Sequence, residues 1–140
     1  MATEVVIDSS VIVALATLEE HSSWSRKKIA EHKYFHILEL NYYEVANAIR
    51  FKQSNKFSAN KVEEAFKQAV DLMNLFGVHS FGEVVVDALS IALELNIAVY
   101  DAAFLALADK LDIHLLTLDV KLAKKLEITK YHGLIEYPNK

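Results

Sequence analysis

NIAVYDAAFLALADKLDIHLLTLD, residues 96–119, decides how the chain is read. Asp101 opens a segment that is apolar on almost every side, through Ala102, Ala103, Phe104, Leu105, Ala106, Leu107, Ala108 and Leu111. Such a pattern predicts a helix packed in an interior rather than lying on a surface. Residues 114–118 follow as a short strand that ends at a second aspartate, Asp119. Both acids then stand at the edges of buried elements, where unpaired negative charge is costly. The run VVID, residues 5–8, ends the same way: Asp8 is followed by Ser9, Ser10 and another apolar run.

Outward from these three junctions, strands and helices alternate. Residues 4–8 read as a strand apolar from Val5 to Ile7, as expected where both faces are covered. A first helix follows at VIVALA, a second over residues 24–32, and a strand over residues 34–38. LNYYEVANAIRFKQ, residues 40–53, is helical by periodicity, with Tyr42, Val45, Ala46 and Ile49 on one face. Glu44 and Asn47 share another face with Leu40 and Phe51, so this glutamate is only partly solvated. Ser58 suits the N-cap of the next helix, whose stripe is Val62, Phe66, Ala69, Val70, Met73 and Phe76, with Gly77 as its stop. A brief strand at residues 78–80, helices over 84–95 and 120–126, and a weak strand near 134–137 complete the chain. Alternation of this kind predicts one α/β domain, residues 1–140, with a parallel sheet between helical layers.

Composition narrows the chemistry. At 140 residues the chain is long enough to bury ~68% of the surface of its unfolded form. Three glycines and one proline argue against a turn-rich all-β design. Without cysteine there is no disulfide, thiolate zinc site or cysteine nucleophile. None of the histidines stands in an HExxH or similar zinc spacing, and Ser9 and Ser10 lack a G-x-S-x-G context. A net charge of -4 argues against bulk coating of nucleic acid but not against local basic patches. The N-terminus lacks the features of a signal peptide, and no apolar run reaches the roughly 20 residues that cross a bilayer. The expectation is a soluble, cytoplasmic protein.

Asp8, Asp101 and Asp119 each precede or open a helix, so each is explicable as an N-cap. Glu44, taken alone, is explicable as an exposed helical glutamate. Together they ask for more. In open α/β sheets ligands collect beyond the carboxyl ends of the strands, where Asp8 and Asp119 belong. Gathered carboxylates repel and take up protons unless a divalent cation stands among them. An all-oxygen acidic shell suits Mg2+ or Mn2+ rather than zinc, and the chemistry indicated is phosphodiester hydrolysis.

VVIDSSVIVAL, YYEVANAIR, VYDAAFLALA and LLTLDVKLAKKL, in this order, resemble the four acidic motifs of PIN domains, and in particular the VapC-type toxins of toxin–antitoxin pairs. The resemblance spans essentially the whole chain. It implies a three-layer α/β/α sandwich with a short central parallel sheet. It also implies a metal-dependent endoribonuclease with Asp8, Glu44, Asp101 and Asp119 around magnesium or manganese. Ser10, Asn47 and Thr117 match polar groups that orient the acids. An RNA substrate, a VapB-like cognate antitoxin and a homodimer follow from the same resemblance, with the Val62 to Phe76 stripe as a candidate interface. Leu118 and Asp112 depart from it, standing where a smaller residue and a glycine are common.

Two basic groups flank the acids. Lys121, Lys124 and Lys125 share a face of the last helix, and Arg50, Lys52 and Lys56 trail from the helix of Glu44. They read either as solvated faces or as cations that hold RNA phosphates. Two other functions share parts of the pattern. A receiver-type phosphoacceptor also has an acidic magnesium pocket, but it wants a second acid beside Asp8, where Ser9 stands. An inert PIN-like interaction module would keep the fold without the chemistry.

Overall fold

In the computed structural model, which describes residues 3–139, Val5, Val6 and Ile7 have no exposed surface because their strand lies at the centre of the sheet. The described residues form β1 (Glu4–Ile7), α1 (Ser9–Ala16), α2 (Ser22–Ala30), β2 (Tyr34–Leu38), α3 (Leu40–Gln53), α4 (Ala59–Met73) and β3 (Gly77–His79). There follow α5 (Val85–Leu95), α6 (Val99–Leu111), β4 (His114–Leu116), α7 (Val120–Leu126) and β5 (Ile135–Glu136). All strand pairings are parallel, in the order β3-β2-β1-β4-β5. The fold is the α/β/α sandwich that the sequence predicts.

Successive strand side chains point to opposite faces, which divides the core in two. Val5, Ile7, Ile37 and Leu116 pack under α1, α3 and α4 with Val11, Ile12, Val45, Ile49 and Met73. Val6, Leu38 and Leu115 pack under α5 and α6 with Ala88, Ala102, Leu105 and Leu107. Helix α6 buries Ala102 and residues 104–108, in keeping with its all-round apolar sequence. No single helix among the described residues is long and apolar enough to cross a membrane; α5 and α6 would qualify only as a pair, and they meet at 114°.

Three local expectations change. Helix α4 stops at Met73, and Gly77 is the first residue of β3 without a left-handed φ. A Cβ on Gly77 would lie 3.3 Å from His36 Nδ1, so the glycine leaves room for that ring rather than ending a helix. The α4 stripe faces inward: Ala69 and Met73 are buried, and Val62, Phe66, Val70 and Phe76 pack on the same core. Much of the stripe is thus spent on the chain's own core, while α5 exposes Val85, Val86, Leu89 and Leu93. Finally, α6 starts at Val99, so Asp101 lies within its first turn instead of at its cap. Asp112, in place of a glycine, takes the left-handed C-cap of α6 at φ 55°, a conformation aspartate tolerates better than most L residues.

Candidate active site

The sheet order sets the place of the site. From β1 the chain moves outward to β2 and β3, then returns to lay β4 on the other side of β1. The crevice beyond the carboxyl ends of β1 and β4 is therefore the switch point where open α/β sheets bind ligands. Asp8 directly follows β1, and Thr117, Leu118 and Asp119 follow β4. Helix α3 brings Glu44 and Asn47 to this crevice, and the first turn of α6 brings Asp101. All four acids line one open cavity of about 580 Å³, with Ser9, Ser10, Asn47, Phe104 and Leu118.

Asp8 is held from both sides. Its Oδ1 accepts the backbone N–H of Ser10 at 3.0 Å and of Val11 at 3.4 Å, which caps α1. The hydroxyl of Ser10 donates to Oδ1 and that of Thr117 to Oδ2. Ser10 Oγ in turn accepts the N–H of Leu118 at 3.0 Å, and Thr117 Oγ1 accepts that of Asp119 at 3.0 Å. Two hydroxyls thus join the end of β1 to the end of β4 through one carboxylate. Burial raises Asp8 to about 6, although the hydroxyl and backbone donors pull the other way.

Glu44 is fixed by a separate chain of polar groups. Ser9 Oγ donates to Glu44 Oε1 at 2.8 Å, and Asn41 Nδ2 donates to Ser9 Oγ at 3.1 Å. Asn41 is fully buried; its Oδ1 accepts the N–H of Leu38 at 2.7 Å, which locks it between β2 and β1. Burial raises the pKa of Glu44, and the negative charges of Asp8 and Asp101 add to the effect. Burial also raises that of Asp101, with repulsion from Asp119 second. The Asp101 carboxylate caps no backbone N–H among the described residues, although in the first turn of α6 it stands at the positive end of the helix. Asp119 does cap its helix, accepting the N–H of Leu122 at 3.0 Å. Capping and a place in the cavity therefore coexist in Asp8 and Asp119, whereas Asp101 lines the cavity without capping its helix.

The motifs do not mark Ser9, Asn41 or Glu19 as parts of the site. Asn41 precedes Glu44 by three residues, the spacing of neighbours on a helix face, and that was the available signal. Ser9 is no nucleophile by its sequence context, and in the structure its hydroxyl is a donor to Glu44. Glu19 lines the cavity mouth and is ion-paired with Lys52. Lys52 lines the cavity, whereas Arg50, Lys121, Lys124 and Lys125 are exposed away from its lining. Lys125 Nζ donates to the carbonyl of Asn96 at 2.8 Å.

Four carboxylates with hydroxyl and amide neighbours make an all-oxygen donor set, the kind that magnesium or manganese takes. Burial raises the pKa values of Asp8, Glu44 and Asp101, with repulsion from neighbouring carboxylates adding to it at Glu44 and Asp101, and a dication would relieve both costs. As placed, no three His, Asp or Glu side chains among the described residues are close enough to hold an ion directly. Shared ligation therefore needs rotation of side chains or bridging waters.

Comparison with known proteins agrees with this geometry. The chain is 35% identical over 123 residues to Ribonuclease VapC3 of Pyrobaculum aerophilum, covering 87% of this chain and 94% of that protein. The crystal structure of PAE2754 from Pyrobaculum aerophilum superposes with a TM-score of 0.65 at 27% identity, covering 96% of this chain and 84% of that one. A toxin–antitoxin complex from Klebsiella pneumoniae has the same fold, with a TM-score of 0.65 at 13% identity over 84% of this chain and 88% of that one. The model of the PIN domain matches residues 5–126. A match that runs from β1 to the end of α7, with Asp8, Glu44, Asp101 and Asp119 all inside it, makes this chain a member of the PIN domain family.

Proposed function

We propose that this protein is a VapC-type endoribonuclease that uses magnesium or manganese to hydrolyse RNA phosphodiester bonds. The observation that carries the reading is the meeting of Asp8, Glu44, Asp101 and Asp119, from four separated segments, in one cavity at the switch point of the sheet. Membership of the PIN domain family and the likeness to Ribonuclease VapC3 support it.

In this reading the four carboxylates hold the ion, directly or through water. A dication held there would supply charge neutralisation, polarisation of a phosphoryl oxygen and a water of lowered pKa, the chemistry that in-line hydrolysis needs. The chain's own contribution is positional. Ser10 and Thr117 fix both oxygens of Asp8, and Ser9, itself held by Asn41, fixes Glu44. The Asp101 carboxylate, which caps no backbone N–H among the described residues, would be left to hold the ion. Asn47 stands on the exposed side of α3, one turn beyond Glu44, where it can meet the scissile strand. Arg50, Lys52, Lys121, Lys124 and Lys125 supply cations for flanking phosphates.

The same reading gives the protein a cognate, VapB-like antitoxin, as the likeness to a toxin–antitoxin complex supports. It acts as a homodimer through an exposed apolar face on α5, and in the cytoplasm, where RNA is found. The test is incubation of purified protein with a pool of RNAs, with and without chelator, beside an Asp101→Asn control. Internal cuts that need magnesium or manganese and vanish in the control are expected. Equal cutting by both proteins would trace the activity to a contaminant and end the proposal.

A further inference from the structure

We infer that Glu19 and Lys52 form an internal competitor for RNA: Lys52 positions the strand by its phosphate, and Glu19 occupies that ammonium until the strand displaces it. The inference rests on the ribonuclease reading and adds to it a residue that sets how tightly substrate is taken.

Among the described residues that line the acidic cavity, Lys52 is the one cation, set against five carboxylates. Its ammonium pairs with Glu19 rather than with any of Asp8, Glu44, Asp101 or Asp119. The pair joins the last turn of α3 to the segment between α1 and α2, at the mouth of the cavity. Glu19 is not a loose surface acid. Its backbone N–H donates to Ser22 Oγ at 2.9 Å, Ser22 Oγ donates to the carbonyl of Thr17 at 3.0 Å, and Ser22 is almost fully buried. The backbone under Glu19 is thereby fixed, while the side chain of Lys52 keeps nearly half its surface in water.

This arrangement fits a polyanion with an aromatic base better than a small ligand. Beside Lys52, Phe51 lines the same cavity with most of its ring exposed, a surface on which a base can stack. A phosphate reaching Lys52 must replace a carboxylate, which exchanges one ion pair for another. Because the pair is partly exposed, Glu19 holds Lys52 only modestly. Substrate is therefore slowed in binding but not shut out. Glu19 also adds negative charge to the rim, so its effect has to be separated from simple repulsion of RNA.

A double-mutant cycle makes that separation. Binding of a labelled single-stranded RNA pool is measured against salt for Glu19→Gln, Lys52→Ala and the double variant, all in an Asp101→Asn background that does not cut. Glu19→Gln is expected to bind about three- to fivefold more tightly. Lys52→Ala is expected to bind more weakly, with a salt slope shallower by ~0.7, the share of one phosphate on a single strand. The double variant should bind like Lys52→Ala alone, and Lys52→Arg should restore affinity. If Glu19→Gln has no effect, or tightens binding equally when Lys52 is absent, the competitor is refuted. Metal-dependent cutting by the parent protein, assayed alongside, decides the ribonuclease reading separately. If no protein binds RNA and the parent does not cut, both fall together.

Discussion

Replacing Asp8 by asparagine should abolish cutting and yet stabilise the metal-free protein. Burial raises the folded-state pKa of Asp8 from 3.8 to about 6. The folded protein therefore binds this proton more tightly than the unfolded chain does. The sign follows: stability from this group is fully present below about 3.8 and is lost as pH rises through about 6. At about 1.36 kcal/mol per pKa unit, the ionised carboxylate costs the fold roughly 3 kcal/mol at neutral pH. Asp8 keeps an edge toward the cavity, which lets water reduce that cost. Asparagine keeps an oxygen for the N–H groups of Ser10 and Val11. Its amide, however, obliges Thr117 to accept where it had donated, a loss of about 1 kcal/mol. The net gain is about 1–2 kcal/mol, or a Tm higher by roughly 3–8 °C. Thermal unfolding followed by circular dichroism, in chelator from pH 3.5 to 8, is the assay. The difference between variant and parent should be near zero or negative at the acid end and grow through pH 6. Magnesium or manganese should then raise the Tm of the parent and leave the variant behind. A variant that melts at or below the parent throughout pH 6 to 8 would refute the idea that Asp8 is a strained charge awaiting a cation.

Other perturbations test the supports. Asn41→Ala removes a fully buried amide that accepts from Leu38 and donates to Ser9, so a loss of about 2–3 kcal/mol in urea unfolding is expected. Cutting should fall as well, because Ser9 loses the donor that aligns it on Glu44. Met73→Ala should cost about 2–5 kcal/mol, since Met73 is fully buried in the α4 stripe. Leu93→Ala on the exposed face of α5 should change monomer stability by less than about 0.5 kcal/mol. Similar losses at the two positions would overturn the assignment of inner and outer faces. Asp112→Ala should lose about 1 kcal/mol because of its left-handed φ, and Asp112→Gly should lose nothing.

Local chemistry carried much of this protein in plain view. The all-round apolar run after Asp101, the covered strand before Asp8 and the alternation of strands with helices determined a parallel α/β/α fold. They did so because periodicity and burial are properties of neighbouring residues. Motif order likewise marked Asp8, Glu44, Asp101 and Asp119 without coordinates. What the tertiary structure alone decided was which distant groups meet. That Thr117 reaches Asp8 depends on β4 lying beside β1, whereas Ser9 and Asn41 serve Glu44, and Lys52 faces Glu19, because α3 packs against α1 and the segment after it. The α4 stripe and Gly77 make the same point: an apolar face or a glycine looks alike in sequence whether it ends a helix, meets a partner or fills a core. A side chain's type is written locally, whereas its partner is fixed only when the sheet closes and brings residues a hundred positions apart within hydrogen-bond reach.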